Sequence, residues 1–112
     1  MAKLEASLSG DFYSIVNAVD LGIQESSISA SLEDSSDFSY GDSRCSVRVF
    51  ERYSYTGGNR VSMNITFFQA QSGKVHISAI TSGGSQAVFF KINTWGEEAF
   101  LDKLRDIIDK LK

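Results

Sequence analysis

Three consecutive stretches of this chain alternate apolar and polar residues with a period of two, and only short glycine-bearing connectors separate them. They read RCSVRVFERYSY (44–55), RVSMNITFFQA (60–70) and KVHISAIT (74–81), joined through TGGN and QSG. Successive side chains of a strand point to opposite faces, so this pattern builds a sheet with one apolar face. Connectors this short join antiparallel neighbours only.

Register follows from keeping apolar faces together, because a slip of one residue turns every side chain over. Cys45, Val47, Val49, Glu51 and Tyr53 share one face of the first stretch and read as its core side. A three-residue loop at Gly57-Gly58-Asn59 then sets Tyr53 opposite Met63 and Val49 opposite Phe67. At Gln71-Ser72-Gly73 the same logic sets Phe67 opposite Ile77 and Phe68 opposite His76. Both are expected as three-residue hairpins with glycine in the left-handed position.

The flanks supply the rest of the fold. Leu4, Ala6 and Leu8 alternate as a short first strand. Ser9-Gly10-Asp11 offers a cap, Phe12, Ile15, Val16 and Val19 follow at helical spacing, and Gly22 is placed to end that helix. Ile28, Ala30 and Leu32 alternate as a second strand, and the acidic EDSSDFSYGD (33–42) reads as a loop or strand end. Gly83-Gly84 reads as a turn, and QAVFFKI after it as a further short strand. Thr94 and Glu97 then form a capping box for a closing helix striped by Phe100, Leu101, Leu104, Ile107, Ile108 and Leu111. The expectation is a single α+β domain over 1–112, strand-helix-four or five antiparallel strands-helix, with the helices on one face of a twisted sheet. That layout is similar to TATA-binding-protein-like and helix-grip domains, which host unrelated functions.

Several chemistries find no support. The net charge is −3, which disfavours nucleic acid as a partner. There is no apolar run long enough for a membrane span, and MAKLEASLSG has no basic region followed by an apolar block, so no secretory signal is expected. One cysteine allows no internal disulfide and fits a reducing cytoplasm. No P-loop or nucleophile elbow surrounds Gly83-Gly84. Cys45 is expected in the core with His76 on the other face, so neither a thiol–imidazole pair nor a metal site forms, and no cofactor is expected. Glu51, on the apolar face by parity, is expected to meet an arginine or tyrosine at the sheet's end or to escape at a bulge.

The strongest constellation is then the outer sheet face. Arg44, Arg48 and Arg52 recur along one strand with Phe50 between them, Arg60 and Asn64 stand on the next, and Phe68 and His76 lie alongside. Arginine and aromatic groups on one face suit an anionic or aromatic ligand, or a protein partner. The residues favour a non-enzymatic binding module that uses this face or a sheet–helix cleft for a small molecule, a protein or its own copy as a homodimer. The alternatives are a small enzyme at the glycine-bracketed end of the sheet, built from His76, Glu51, Ser82 and Ser85, and a single-stranded nucleic-acid binder. SASLED, RCSVRVFERYSYTGGNRVS and AITSGGSQAVFFKINTWGEEAFLDKL also resemble stretches of short bacterial proteins of about this length, classed as a domain of unknown function. That resemblance spans nearly the whole chain and implies a bacterial, cytoplasmic protein with no activity to carry over.

Overall fold

In a computed structural model the described residues are 1–27, 29–53, 60–71, 73–83 and 90–112, with backbone alone for 90–95. Five strands, β1 (Ala2–Leu8), β2 (Ser31–Tyr40), β3 (Ser43–Tyr53), β4 (Arg60–Gln69) and β5 (Val75–Gly83), form one sheet in the order β1-β5-β4-β3-β2. Every neighbouring pair is antiparallel. Helix α1 (Phe12–Ser26) carries the chain from the β1 edge to the β2 edge, and α2 (Phe90–Leu111) closes it. Both helices pack on one face of the sheet, so the fold is α+β.

Local chemistry explains the first helix. Asp11 is its N-cap, where Oδ2 accepts from the Ser14 amide at 3.0 Å and the Ser14 hydroxyl at 2.9 Å. These bonds hold the Asp11 carboxyl below its ordinary value. Phe12, Ile15, Val16, Val19 and Ile23 then bury one stripe. Gly22 does not end the helix, which runs on to Ser26. A Cβ on Gly22 would stand 2.6 Å from Ile107 Cδ1 of α2, so the residue is a contact point between helices and not a terminator.

The core lies between helices and sheet. Val61, Met63, Ile65 and Phe67 of β4 face Val75, Ile77, Ala79 and Thr81 of β5, all buried. Phe67 pairs with Ile77 and Phe68 with His76, as the alternation requires. Phe100, Leu101, Leu104 and Ile108 cover them from α2, while Leu111 remains partly exposed. Each fully buried side chain of this size stabilises by about 1.5–3 kcal/mol. Between β4 and β5 the left-handed residue is Gln71 (φ 51°), in place of the expected glycine. The Gly73 amide donates to the Ala70 carbonyl at 2.9 Å.

Four expectations change. The acidic segment is no loop: it forms most of β2, because Gly41-Asp42 makes a two-residue hairpin that sets Tyr40 beside Ser43 and Phe38 beside Cys45. Gly41 takes φ +57°, the conformation such a turn asks of its first residue. Helix α2 begins at Phe90, so Thr94 lies inside it and residues 90–92 are helical. The expected loop at Gly57-Gly58-Asn59, the expected turn residue Gly84, Ser72 and Ile28 fall outside the described residues.

The fourth change matters most. In β3, Val49 sits opposite Asn64 and Phe50 opposite Met63. Phe50 is therefore on the helix side, fully buried, while Cys45, Val47 and Val49 lie on the other face, each half-buried. The strand is turned over relative to its apolar alternation, because one buried phenylalanine and three arginines with partners replace two valines and a cysteine on the helix side.

Candidate functional site

The expected arginine–aromatic stripe divides between the two faces of the sheet. Arg44, Arg48, Phe50 and Arg52 point to the helix side; Arg60, Asn64, Phe68 and His76 point to the uncovered side. Arg44 lies over the Tyr13 ring of α1 at 5.4 Å, and Arg52 over the Phe100 ring of α2 at 4.8 Å. Phe50 belongs to the core. Arg48 is only 8% exposed. Its Nε donates to Asp20 of α1 at 3.1 Å and its Nη1 to Asp37 of β2 at 2.9 Å. A third bond runs to the Val47 carbonyl at 3.0 Å. Desolvation pushes the Asp20 carboxyl up, against the pull of Arg48. The neighbouring Ser46 hydroxyl and then Arg48 hold the Asp37 carboxyl down. Ser46 Oγ is buried and short of full hydrogen-bond geometry. These arginines tie helices to the sheet.

The uncovered face is built from the opposite parity. One row crosses all five strands, Phe38, Cys45, Phe68, His76 and Ser7, each paired with the next. The next row runs Ser36, Val47, Thr66, Ser78 and Glu5, and a third Asp34, Val49, Asn64, Ile80 and Lys3. Phe38 is 61% exposed, Ile80 45% and Phe68 42%. Half-buried Val47, Val49 and Cys45 adjoin Phe38 and Phe68 on this face, which neither helix covers, while Ile80 stands across Asn64. Patches of this kind mark interaction surfaces.

Toward the β1 edge the face dips into a recess of about 310 Å³ lined by Glu5, Ser7, Thr66, Phe68, His76 and Ser78. Inside it Ser7 Oγ and His76 Nδ1 are hydrogen-bonded at 2.9 Å. At the opposite end Arg60 pairs with Glu51 at 2.6 Å and with Glu33 at 3.8 Å, and stacks on the Tyr53 ring at 5.4 Å. Glu51 thus meets an arginine at the sheet's end, on the uncovered face.

Cys45 and His76 share a face and a row after all, with Phe68 between them. Two strand spacings, about 10 Å, separate their strands. Burial pushes the Cys45 thiol up, with Asp37 adding to the effect, so the protonated form is favoured. His76 and Ser82 stand six residues apart along β5, roughly 20 Å, and Glu51 is in the Ser82 row. Ser85 lies outside the described residues. Among the described residues no cluster of three or more His, Cys, Asp or Glu could hold a metal ion, and no helix is long and apolar enough to cross a membrane.

The sequence reading missed Phe38, Cys45, Val47 and Val49 as members of this face. The signal was the Gly41-Asp42 pair, a two-residue hairpin dipeptide that fixes Phe38 opposite Cys45.

Two comparisons return nothing: no curated protein and no solved structure matches the chain. A family model matches residues 1–112, and the chain belongs to that family, a family of unknown function (DUF6054).

Proposed function

We propose that the protein is a non-enzymatic interaction module that docks a partner on the uncovered face of its sheet. One observation carries this reading: the row Phe38–Cys45–Phe68–His76, with Val47, Val49 and Ile80 beside it, presents aromatic and aliphatic surface to solvent. The core beneath is filled, with Phe50, Met63, Ile65, Phe67, Phe100 and Leu104 all fully buried. The face therefore offers a ligand room that these buried side chains do not. The charged groups of the face, Lys3 and Arg60 against Glu5, Asp34 and Glu51, are mixed in sign, which suits a protein surface better than a polyanion. A reducing cytoplasm of a bacterial cell is the setting in which a lone protonated thiol at Cys45 persists.

A second reading, a small-molecule site in the recess, is favoured by the Ser7–His76 hydrogen bond beside Phe68. Native mass spectrometry of the chain drawn gently from its cell extract tests both. A bound mass carried by the wild type and lost from Val49→Asp/Phe68→Asp supports the face, and its size separates protein from small molecule. A bound mass that the variant retains, or a bare monomer in both preparations, refutes it.

A further inference from the structure

We infer that the occupant of the uncovered face is a second copy of this chain, related by a two-fold axis that runs along β4. This rests on the docking-face reading above and names its partner.

The strand order places β4 at the centre, with β5 and β1 on one side and β3 and β2 on the other. A face-to-face two-fold can run along the strands or across them. An axis across the strands lays β1 on its own copy, and Glu5, the middle residue of the Lys3–Glu5–Ser7 set, then meets the partner's Glu5. It also sets Asp34 against the partner's Phe38. A carboxylate pressed on an aromatic ring argues against it.

An axis along β4 exchanges the two edges, leaves every row at its own height and sets each outward residue of β4 on its own copy, Arg60 included, whose charge Glu51 meets at 2.6 Å. Lys3 and Asp34 belong to one row, on opposite edges, so Lys3 meets the partner's Asp34 twice over in the dimer. Val49 and Ile80 of that row meet each other's copies, aliphatic on aliphatic. Phe68, on the central strand, meets the partner's Phe68 at the axis, an aromatic pair. At the ends of its row Phe38 meets the partner's Ser7. The recess of about 310 Å³ between Ser7, His76 and Phe68 stands there to receive it. Two exposed phenylalanines thus fill two recesses, as the isologous geometry of a two-fold demands.

The size is sufficient. Five strands at about 4.8 Å spacing and seven or eight residues at about 3.3 Å give a face of roughly 24 Å by 25 Å, about 600 Å² before side-chain relief is added. Specific interfaces bury about 600–1,000 Å² on each partner. Aligned sheets cross by about 30°.

Sedimentation equilibrium of the purified chain of 112 residues tests this. The wild type is expected to dimerise. Phe68→Asp, which sets two carboxylates together at the axis, is expected to weaken the dimer more than about thirtyfold, while its circular dichroism stays that of the wild type and its thermal midpoint that of the wild type diluted to monomer. Lys3→Glu and Asp34→Lys are each expected to weaken it roughly three- to thirtyfold, and Lys3→Glu/Asp34→Lys together to recover it to within about threefold. A wild type that stays monomeric to about 1 mM overturns the proposal. So does a dimer indifferent to Phe68→Asp, or one that the double charge exchange fails to restore. A monomer whose extract still yields a different, face-dependent bound mass defeats the dimer and leaves the docking face standing.

Discussion

Arg48→Met keeps most of the length of the side chain and removes only its charge and donors. Arg48 is 8% exposed, and the Asp20 side chain 16%, so the variant leaves a carboxylate in a partly dry site without its cation. Asp20 Oδ1 is buried and already lacks a partner. Stripping one member from a fully buried ion pair costs about 3–5 kcal/mol, and an exposed pair is worth about 0–1 kcal/mol. Asp37, the other acceptor, has a side chain 52% exposed and rehydrates readily. The site lies between the limits, and the expected loss is about 2–3 kcal/mol. For a chain of 112 residues that lowers Tm by roughly 10–20 °C.

The pH dependence makes the reasoning specific. Desolvation raises the Asp20 carboxyl in the folded chain and Arg48 opposes it, so the variant raises it further. A carboxyl raised on folding binds its proton more tightly in the native state, and the variant recovers stability as pH falls through the folded value. Asp37 is lowered on folding, partly by Arg48, so that share of the wild type's advantage is present above the ordinary carboxylate value and disappears below the depressed one. Both effects shrink the gap between wild type and variant in acid. Urea unfolding of both proteins at neutral pH and near pH 4, read by circular dichroism, measures it, and Asp20→Asn on the variant background is expected to return most of the loss. A deficit under about 0.5 kcal/mol, or one that does not change with pH, would mean that Arg48 stands in solvent, where the sequence stripe put it.

Other perturbations separate the two faces and the helix contact. Phe50→Ala is expected to cost about 3–5 kcal/mol and Val49→Ala about 1 kcal/mol or less in the monomer, an ordering that the apolar alternation of β3 would reverse; chemical denaturation decides it. Gly22→Ala gains about 1 kcal/mol of helix propensity but drives a methyl into Ile107, where overpacking costs about 1–3 kcal/mol. A net loss in thermal melts, reversed in sign on an Ile107→Ala background, is expected. Asp11→Ala lowers Tm above the ordinary carboxylate range and less in acid, because its depressed carboxyl contributes only while ionised; Asp11→Asn keeps the cap and loses that pH dependence. Alkylation of Cys45 at neutral pH is expected to be slower than for a free thiol and to reach the free rate in denaturant.

What the sequence makes legible follows how the chain buries its surface. In β4 and β5 the apolar residues outnumber the polar ones on a single parity, and the helices lie directly over that parity, so both faces and the register of that hairpin read off the alternation. Helix α1 and the stripe of α2 are legible for the same reason, each having one apolar side and one core. Strand β3 stands nearer the edge of the helical cover, and there the rule breaks. Arginine is long enough to run from sheet to helix with its stem among apolar groups and its guanidinium on a carboxylate or a ring. Arg48 does so with Asp20 and Asp37, Arg52 with Phe100 and Arg44 with Tyr13. A period-two pattern scores such residues as solvent-facing, and their partners are distant in sequence, so nothing local reveals the error.

The same misreading hid the apolar half of the candidate site. Once Arg48 and Phe50 are placed inside, Cys45, Val47 and Val49 must face out. A chain that fills the helix side of β3 with three arginines, and turns two valines and a cysteine outward beside Phe38 and Phe68, carries apolar surface on the face that the helices leave uncovered. In the proposed two-fold along β4 this chain would itself supply a surface for those residues, with Lys3 facing Asp34 at both edges and Val49 facing Ile80 between them.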